Sequence, residues 1–231
     1  MKLQYLGDSK DSFKWDYHDF LVQELQLPIL NIVLMLTPDD RSNDGKTLPT
    51  KFPARQPVID FCKEIRQEYL RCKQEFDISI LESLPSRTTA NYSLGIHKKE
   101  SGFFSNGIRN QYFSGFSTAD DQLLLLDPDT GFEPRNSSKK HVLYSDISSI
   151  CNQISEKSVI SVFQHSRRQC FTDHFADIKQ RLDSRFVTAI YWRDLMFVAM
   201  AKSQGLIGQV REANEKYLRD GEKRGQVHAI N

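Results

Sequence analysis

The most informative segment for the fold is Gln122-Leu123-Leu124-Leu125-Leu126-Asp127-Pro128-Asp129-Thr130-Gly131. Four consecutive leucines that run into turn-forming residues predict a strand buried on both faces, which is typical of a parallel sheet. An acid directly after such a strand is held by a rigid element and faces the cleft beyond it. Asp127 and Asp129 are therefore predicted to be catalytic, while an Asx-type turn at Asp129 is the structural alternative.

On both sides of this strand, the spacing of the hydrophobic residues predicts alternating helices and strands. The predicted helices cover residues 8–25, 53–76, 143–154 and 171–182, and the predicted strands cover 29–37, 77–81, 122–126 and 159–163. Residues 186–201 are predicted to form a hairpin. This order predicts an α/β three-layer sandwich with a mostly parallel, Rossmann-like sheet and a terminal antiparallel hairpin. We expect one domain over residues 1–202 and a helical tail over 203–231.

The composition restricts the class of protein. The 231 residues carry a formal net charge of only +1, so the overall charge gives no argument for nucleic acid, and any basic surface must be local. The four cysteines are scattered and the longest apolar run, at residues 29–36, is too short to span a bilayer. These features predict a cytoplasmic protein with reduced thiols and no membrane partner; the oligomeric state stays open.

Polar residues follow four of the predicted strands. They are Asp39 and Asp40 after the first, Glu82 after the second, Asp127 and Asp129 after the third, and Gln164 and His165 after the fourth. Ligands of parallel α/β sheets bind outside the carboxyl ends of the strands. The coincidence predicts a site at that edge, with His165 as a third catalytic residue because an imidazole titrates near neutral pH.

Basic residues near the same edge are candidates for substrate contacts. Arg167 follows the fourth strand, and Lys140 and His141 follow the aspartate loop. Guanidinium and ammonium groups suit phosphate, although a solvated loop also explains them. Lys14 lies on the first predicted helix, where pairing with Asp11 is the structural explanation.

Two of these segments resemble the ribosomal-RNA adenine-N6 methyltransferases. Residues 7–15 (Gly-Asp-Ser-Lys-Asp-Ser-Phe-Lys-Trp) resemble the Gly-Asn-x-x-Asp-x-x-Lys-His start of that family, and residues 125–130 occupy the place of its Asp-Pro-Pro-Tyr motif. The resemblance implies S-adenosylmethionine as cofactor, nucleic acid as substrate, and cofactor contacts at Thr37, Asp39, Asp40, Gly45 and Glu82. The sequence departs from the family in having Asp129 and Thr130 in that motif, and no glycine-rich loop after the first strand.

These features allow three functional hypotheses. The first is an S-adenosylmethionine-dependent methyltransferase-like enzyme that acts on nucleic acid. The second is a nuclease or phosphodiesterase in which Asp39 or Asp40, Asp127, Asp129 and Glu133 hold Mg²⁺. The third is a non-catalytic interaction module of the same fold.

Overall fold

The computed structural model describes residues 1–40, 45–165, 170–182, 186–220 and 226–231. Its α-helices are α1 (Ser9–Glu24), α2 (Gln56–Cys72), α3 (Leu84–Thr88), α4 (Arg109–Tyr112), α5 (Tyr144–Cys151), α6 (Phe171–Arg181) and α7 (Gln204–Arg219). Its strands are β1 (Ile29–Leu34), β2 (Ser93–Ile96), β3 (Gln122–Asp127), β4 (Gly131–Phe132), β5 (His141–Val142), β6 (Val159–His165), β7 (Val187–Trp192), β8 (Leu195–Ala201) and β9 (Val227–Ile230). No helix of these ranges is long and apolar enough to cross a membrane.

Seven strands of the described residues form one sheet in the order β2-β1-β3-β6-β8-β7-β9. The pairs β2–β1, β1–β3 and β3–β6 are parallel, whereas β8 runs antiparallel to both of its neighbours and β9 antiparallel to β7. The predicted α/β class, with a mostly parallel sheet and an antiparallel hairpin, is confirmed. Because β7 runs in the same direction as β6, its carboxyl end lies at the same sheet edge as Asp127.

Each face of the sheet carries its own hydrophobic core. Leu123 and Leu125 pack with α1, α2 and α7, while Leu124 and Leu126 pack with α5 and α6 on the other face. The alternation of strand side chains sends successive leucines to opposite faces, so a run of four fills both cores. All four leucines are completely buried, which makes β3 the rigid support of the acids that follow.

One predicted strand is wrong, and another strand lies where none is predicted. The predicted strand at residues 77–81 is a 3-10 helix, Ile78–Ser83, whose first turn is capped by Asp77 through a 2.9 Å bond from Ser79 N. Glu82 therefore does not stand at the end of a strand. The second parallel strand is instead Ser93–Ile96, which lies outside the predicted strands.

Residues 203–231, predicted to be a helical tail, contain α7 and β9. The helix α7 packs on α1, where Tyr17 Oη donates to Asn214 Oδ1 at 2.8 Å and Tyr217 Oη donates to Asp16 Oδ2 at 2.7 Å. The strand β9 pairs with β7 at the edge of the sheet.

Candidate functional site

A cleft of about 900 Å³ lies at the carboxyl ends of β3 and β6, between the first turns of α1 and the β7–β8 turn. Its size is typical of a small-molecule or cofactor site. The cleft is lined by Met1, Lys2, Tyr5, Asp8, Ser9, Lys10, Asp11, Lys14, Gly45, Lys46, Thr47, Leu48, Lys51, Asp127, Pro128, Asp129, Thr130, Lys140, Phe163, His165, Trp192, Arg193 and Asp194.

At the bottom of the cleft, the ammonium of Lys14 bridges two carboxylates. Its Nζ lies 2.7 Å from Asp11 Oδ1 and 2.7 Å from Asp127 Oδ2, and all three side chains are at most 4% exposed. Burial alone lowers the pKa of Lys14, but the two neighbouring carboxylates outweigh it and hold that pKa above its usual value. Burial raises the pKa of Asp11, against the opposing effect of Lys14. The bridge thus carries a fixed cation between two buried acids.

Asp8 holds the first turn of α1 beside this bridge. Its carboxylate accepts hydrogen bonds from Lys10 N at 2.8 Å and Asp11 N at 3.0 Å, which makes it the N-cap of the helix. Burial, together with the charge of Asp11, raises the pKa of Asp8 to about 6. The cap aims the helix so that Lys14, on its second turn, reaches the end of β3.

Asp129 is the acid of the cleft whose bonding is incomplete. Its Oδ2 lies 3.3 Å from Lys140 Nζ and 3.8 Å from Lys2 Nζ, and its side chain is only 3% exposed. Its buried Oδ1 has no hydrogen-bond partner among the described residues. A buried carboxylate oxygen without a donor is costly, so this atom calls for an N–H or O–H group from a ligand or water.

A second polar group stands at the side of the cleft, where three elements meet. Asp194 Oδ2 lies 2.7 Å from Lys10 Nζ and 2.9 Å from His165 Nε2, while Lys10 Nζ and His165 Nε2 are 2.9 Å apart. The bond to His165, with further support from Lys10, holds the pKa of Asp194 far below its usual value. Asp194 remains ionised and orients the imidazole at the mouth of the cleft.

The predicted site residues divide into two groups. Lys14, Gly45, Asp127, Asp129, Lys140 and His165 line the cleft. The others do not line the cleft, and those that the structure describes are bonded to other residues. The three acids among them have a side-chain partner: Asp39 accepts from Tyr69 Oη, Asp40 pairs with Lys2 and Glu82 pairs with Lys99. The rest are bonded to the backbone: the N of buried Thr37 donates to Met1 O, His141 Nδ1 accepts from Ser138 N, and Gln164 Oε1 accepts from Phe132 N. Arg167 lies outside the described residues.

The acids of the Mg²⁺ hypothesis do not converge. Asp39 and Asp40 bond to Tyr69 and Lys2, and Glu133 accepts a hydrogen bond from Tyr144 N at 2.8 Å. Within the ranges that the structure describes, no group of three His, Cys, Asp or Glu side chains could hold a metal ion. The structure therefore lends the Mg²⁺ hypothesis no support.

The sequence did not identify several residues of the cleft. Lys10 reaches it from the first turn of α1, whereas Trp192, Arg193 and Asp194 reach it because the β7–β8 turn lies at the carboxyl end of β7. A signal for them existed, since Trp192-Arg193-Asp194 stands at the turn of the predicted hairpin. What the sequence did not indicate was that β7 runs parallel to β6, which puts the turn at the same edge as Asp127.

Comparisons with known proteins place the chain in no family. No family model and no curated protein matches it. Among solved structures, human methyltransferase-like protein 13 in complex with SAH is similar at 11% identity, with 89% of this chain and 90% of that chain covered and a TM-score of 0.36. The protein LPL1258 from Legionella pneumophila is similar at 12% identity, covering 97% of this chain and 96% of that one, with a TM-score of 0.42. Likenesses this weak add nothing to the fold seen directly in the strand order.

Proposed function

We propose that this protein is an S-adenosylmethionine-dependent, methyltransferase-like enzyme that acts on nucleic acid. The observation that carries the proposal is the meeting of the two segments that resemble methyltransferase motifs. Lys14 and Asp127 are 113 residues apart in the chain, and a 2.7 Å ion pair joins them at the bottom of one cleft. Gly45, from the loop after β1, lines the same cleft.

The cleft suits the cofactor in two respects. Its volume of about 900 Å³ is in the range of sites for ligands of nucleoside size. The buried Oδ1 of Asp129, which lacks a partner among the described residues, fits the ammonium of the amino-acid part of S-adenosylmethionine. When bound, this cofactor supplies an electrophilic methyl group. The proposal leaves out four predicted cofactor contacts that do not line the cleft: Thr37, Asp39, Asp40 and Glu82.

The residues of the cleft then take separate roles. Asp127 gives one carboxylate oxygen to Lys14, which leaves the other to accept a hydrogen bond from the amine of a target base. Lys14 positions Asp127 and keeps its charge compensated. His165, oriented by Asp194 at 2.9 Å, is placed to accept a proton at the mouth of the cleft.

Charge favours nucleic acid as the substrate class. Among the described residues, seven lysine or arginine side chains and five aspartates line the cleft, although the whole chain is nearly neutral. The cationic excess is therefore local, as binding of a polyanion requires.

The experiment is isothermal titration of the protein with S-adenosylmethionine and with S-adenosylhomocysteine. We expect micromolar binding that weakens by at least about 10-fold in Asp129→Asn. In this variant, Lys140 and Lys2 hold the amide oxygen of Asn at the place of Oδ2. The NH₂ group then replaces Oδ1 and cannot accept a hydrogen bond from the ligand's ammonium. Glu82→Gln is the matched control, because Glu82 lies outside the cleft, and should bind as the parent does. If neither nucleoside binds, the proposal fails and the interaction module becomes the better hypothesis.

A further inference from the structure

Two cationic residues at the mouth of the cleft belong to one surface patch. Lys51 lines the cleft from the segment after Gly45, and Arg193 lines it from the β7–β8 turn. Phe52 follows Lys51, Trp192 precedes Arg193, and their rings pack with centroids 5.1 Å apart. We call Leu48, Lys51 and Arg193 the mouth patch.

The backbone beneath the patch is firmly held. Arg66 Nη1 donates to Gly45 O at 2.8 Å, and the hydroxyls of Thr47 and Ser9 are 3.0 Å apart, which ties residues 45–47 to α2 and α1. Gly45 has φ +79°, and a Cβ there would meet Gln4 O at 2.6 Å, so glycine is required at this turn. The patch is thus presented by a fixed scaffold.

No neighbour among the described residues neutralises the charges of the mouth patch. The aspartates of the cleft have partners of their own: Asp11 and Asp127 pair with Lys14, and Asp194 pairs with Lys10. Lys51 and Arg193 form no ion pair with any residue in the described ranges, and both are exposed. Arg193 stacks instead on the Trp192 ring, 4.6 Å from its centroid. Two exposed cations therefore stand together at the entrance.

An exposed apolar side chain completes the patch. Leu48 is 62% exposed beside these cations, although most large apolar side chains of the chain are buried. Apolar surface next to unneutralised cations fits a ligand that has both a flat apolar part and negative charge, as a nucleotide has.

We propose that the mouth patch binds an unpaired segment of nucleic acid, with phosphates on Lys51 and Arg193 and a base beside Leu48. This inference rests on the proposed function, because the target base must come within reach of Asp127. The side chain of Asp127 is only 2% exposed, at the bottom of the cleft. A base stacked in a duplex does not reach such a carboxylate unless it leaves the helix, so a single strand is the substrate class that the geometry favours.

The test is fluorescence anisotropy with a fluorescein-labelled, mixed-sequence 12-nucleotide single strand, as RNA and as DNA, between 50 and 200 mM salt. We expect Lys51→Glu/Arg193→Glu to bind at least about 10-fold more weakly. The salt slope should fall by about 1.4, because each phosphate contact on a single strand contributes about 0.7. Lys63→Glu/Arg71→Glu, on the exposed face of α2 and outside the cleft, is the control with the same change of charge and should bind as the parent does.

The apolar part of the patch has its own matched pair of variants. Leu48→Ala should weaken binding about 3-fold without a change of salt slope, whereas Leu70→Ala, 58% exposed on α2, should have no effect. A double strand of the same sequence that binds as tightly as the single strand would overturn the preference for unpaired nucleotides. Binding that ignores Lys51 and Arg193 would overturn the patch itself.

Parallel titration with S-adenosylhomocysteine separates the two proposals. Nucleoside binding without oligonucleotide binding would keep the proposed cofactor and refute the patch. Oligonucleotide binding that depends on the patch, without nucleoside binding, would support the patch and refute the cofactor.

Discussion

Lys14→Met is expected to destabilise the protein strongly, because the lysine is the side-chain cation that pairs with two buried acids. Its Nζ lies 2.7 Å from both Asp11 Oδ1 and Asp127 Oδ2, and its side chain is 4% exposed. Methionine preserves the length and the apolar stem of the side chain but removes the charge. The variant therefore tests the ion pairs while leaving the packing of α1 nearly intact.

The magnitude follows from the burial of the two acids. Removing one partner of a buried ion pair costs about 3 to 5 kcal/mol, since the remaining charge is left without compensation. Here two carboxylates lose their shared cation, so the upper part of that range is expected. A domain is stable by only about 5 to 15 kcal/mol, so the loss is a large fraction of the total.

The deficit should depend on pH. Burial already raises the pKa of Asp11, and loss of Lys14 raises it further. A carboxyl group whose pKa is higher in the folded state binds its proton more tightly there, so its penalty is present at pH 7 and shrinks as the pH falls through that raised pKa. The difference between parent and variant is expected to be smaller at pH 5 than at pH 7.

Urea denaturation followed by tryptophan fluorescence measures both effects. Lys63→Met is the control, because Lys63 forms an exposed pair with Asp60 and its loss should change the unfolding free energy by less than about 1 kcal/mol. Adding Asp11→Asn and Asp127→Asn to Lys14→Met should recover much of the deficit, because neither residue of the bridge then carries a buried charge without its cation. A loss below about 1 kcal/mol for Lys14→Met alone would refute the buried bridge, and with it the positioning role of Lys14.

Three further predictions concern residues that support the cleft. His18 is fully buried, and burial lowers its pKa from 6.5 to about 3, so the imidazole is neutral in the folded state and takes up a proton on unfolding below pH 6.5. The protein therefore loses about 2 kcal/mol of stability through His18 between pH 7 and 5. His18→Gln should remove that loss, as measured by urea denaturation at both pH values. Gly131→Ala should lower the free energy of unfolding by about 2 kcal/mol or more in the same assay, because φ at this residue is +122° and the new Cβ would lie 2.2 Å from Gln164 Oε1, which accepts from Phe132 N. An unchanged stability would contradict this packing. Tyr217→Phe should cost about 1 to 3 kcal/mol by leaving a buried oxygen of Asp16 without its 2.7 Å donor, and a thermal melt of unaltered midpoint would contradict the docking of α7 on α1.

The fold was predictable where burial alone determines it. The leucine run of β3 predicts a strand covered on both faces, and the structure has this strand at the centre of the sheet between β1 and β6. The strand prediction for residues 77–81 is wrong because the alternation of isoleucine and polar residues matches a strand pattern, whereas the Asp77 cap favours a helical turn. The true second strand, Ser93–Ile96, contains a serine and a glycine, and its pairing with β1 alone identifies it.

The site was predictable as a place and only partly as a set of residues. The carboxyl edge of a parallel sheet gathers strand ends, so Asp127, Asp129 and His165 come together as the sequence indicates. The hydrogen-bond and ion-pair partners of each acid come from segments that are distant in the chain, and a local sequence pattern does not predict them. Asp39 and Asp40 follow β1 as expected, but Tyr69 and Lys2 bind them.

The residues around Asp127 bear on the departure of this chain from the Asp-Pro-Pro-Tyr pattern. Here Asp129 stands at the place of the motif's second proline and Thr130 at the place of its tyrosine. Two aromatic residues nevertheless line the cleft, Phe163 from β6 and Trp192 from the end of β7, although each is at most 8% exposed. Lys14 Nζ lies 5.9 Å from the Phe163 ring, so aromatic surface borders the bridge to Asp127 directly. Under the proposed function, a base that approaches Asp127 would lie above these strand-held rings, and Asp129, at the position after Pro128, is the acid proposed to bind the cofactor.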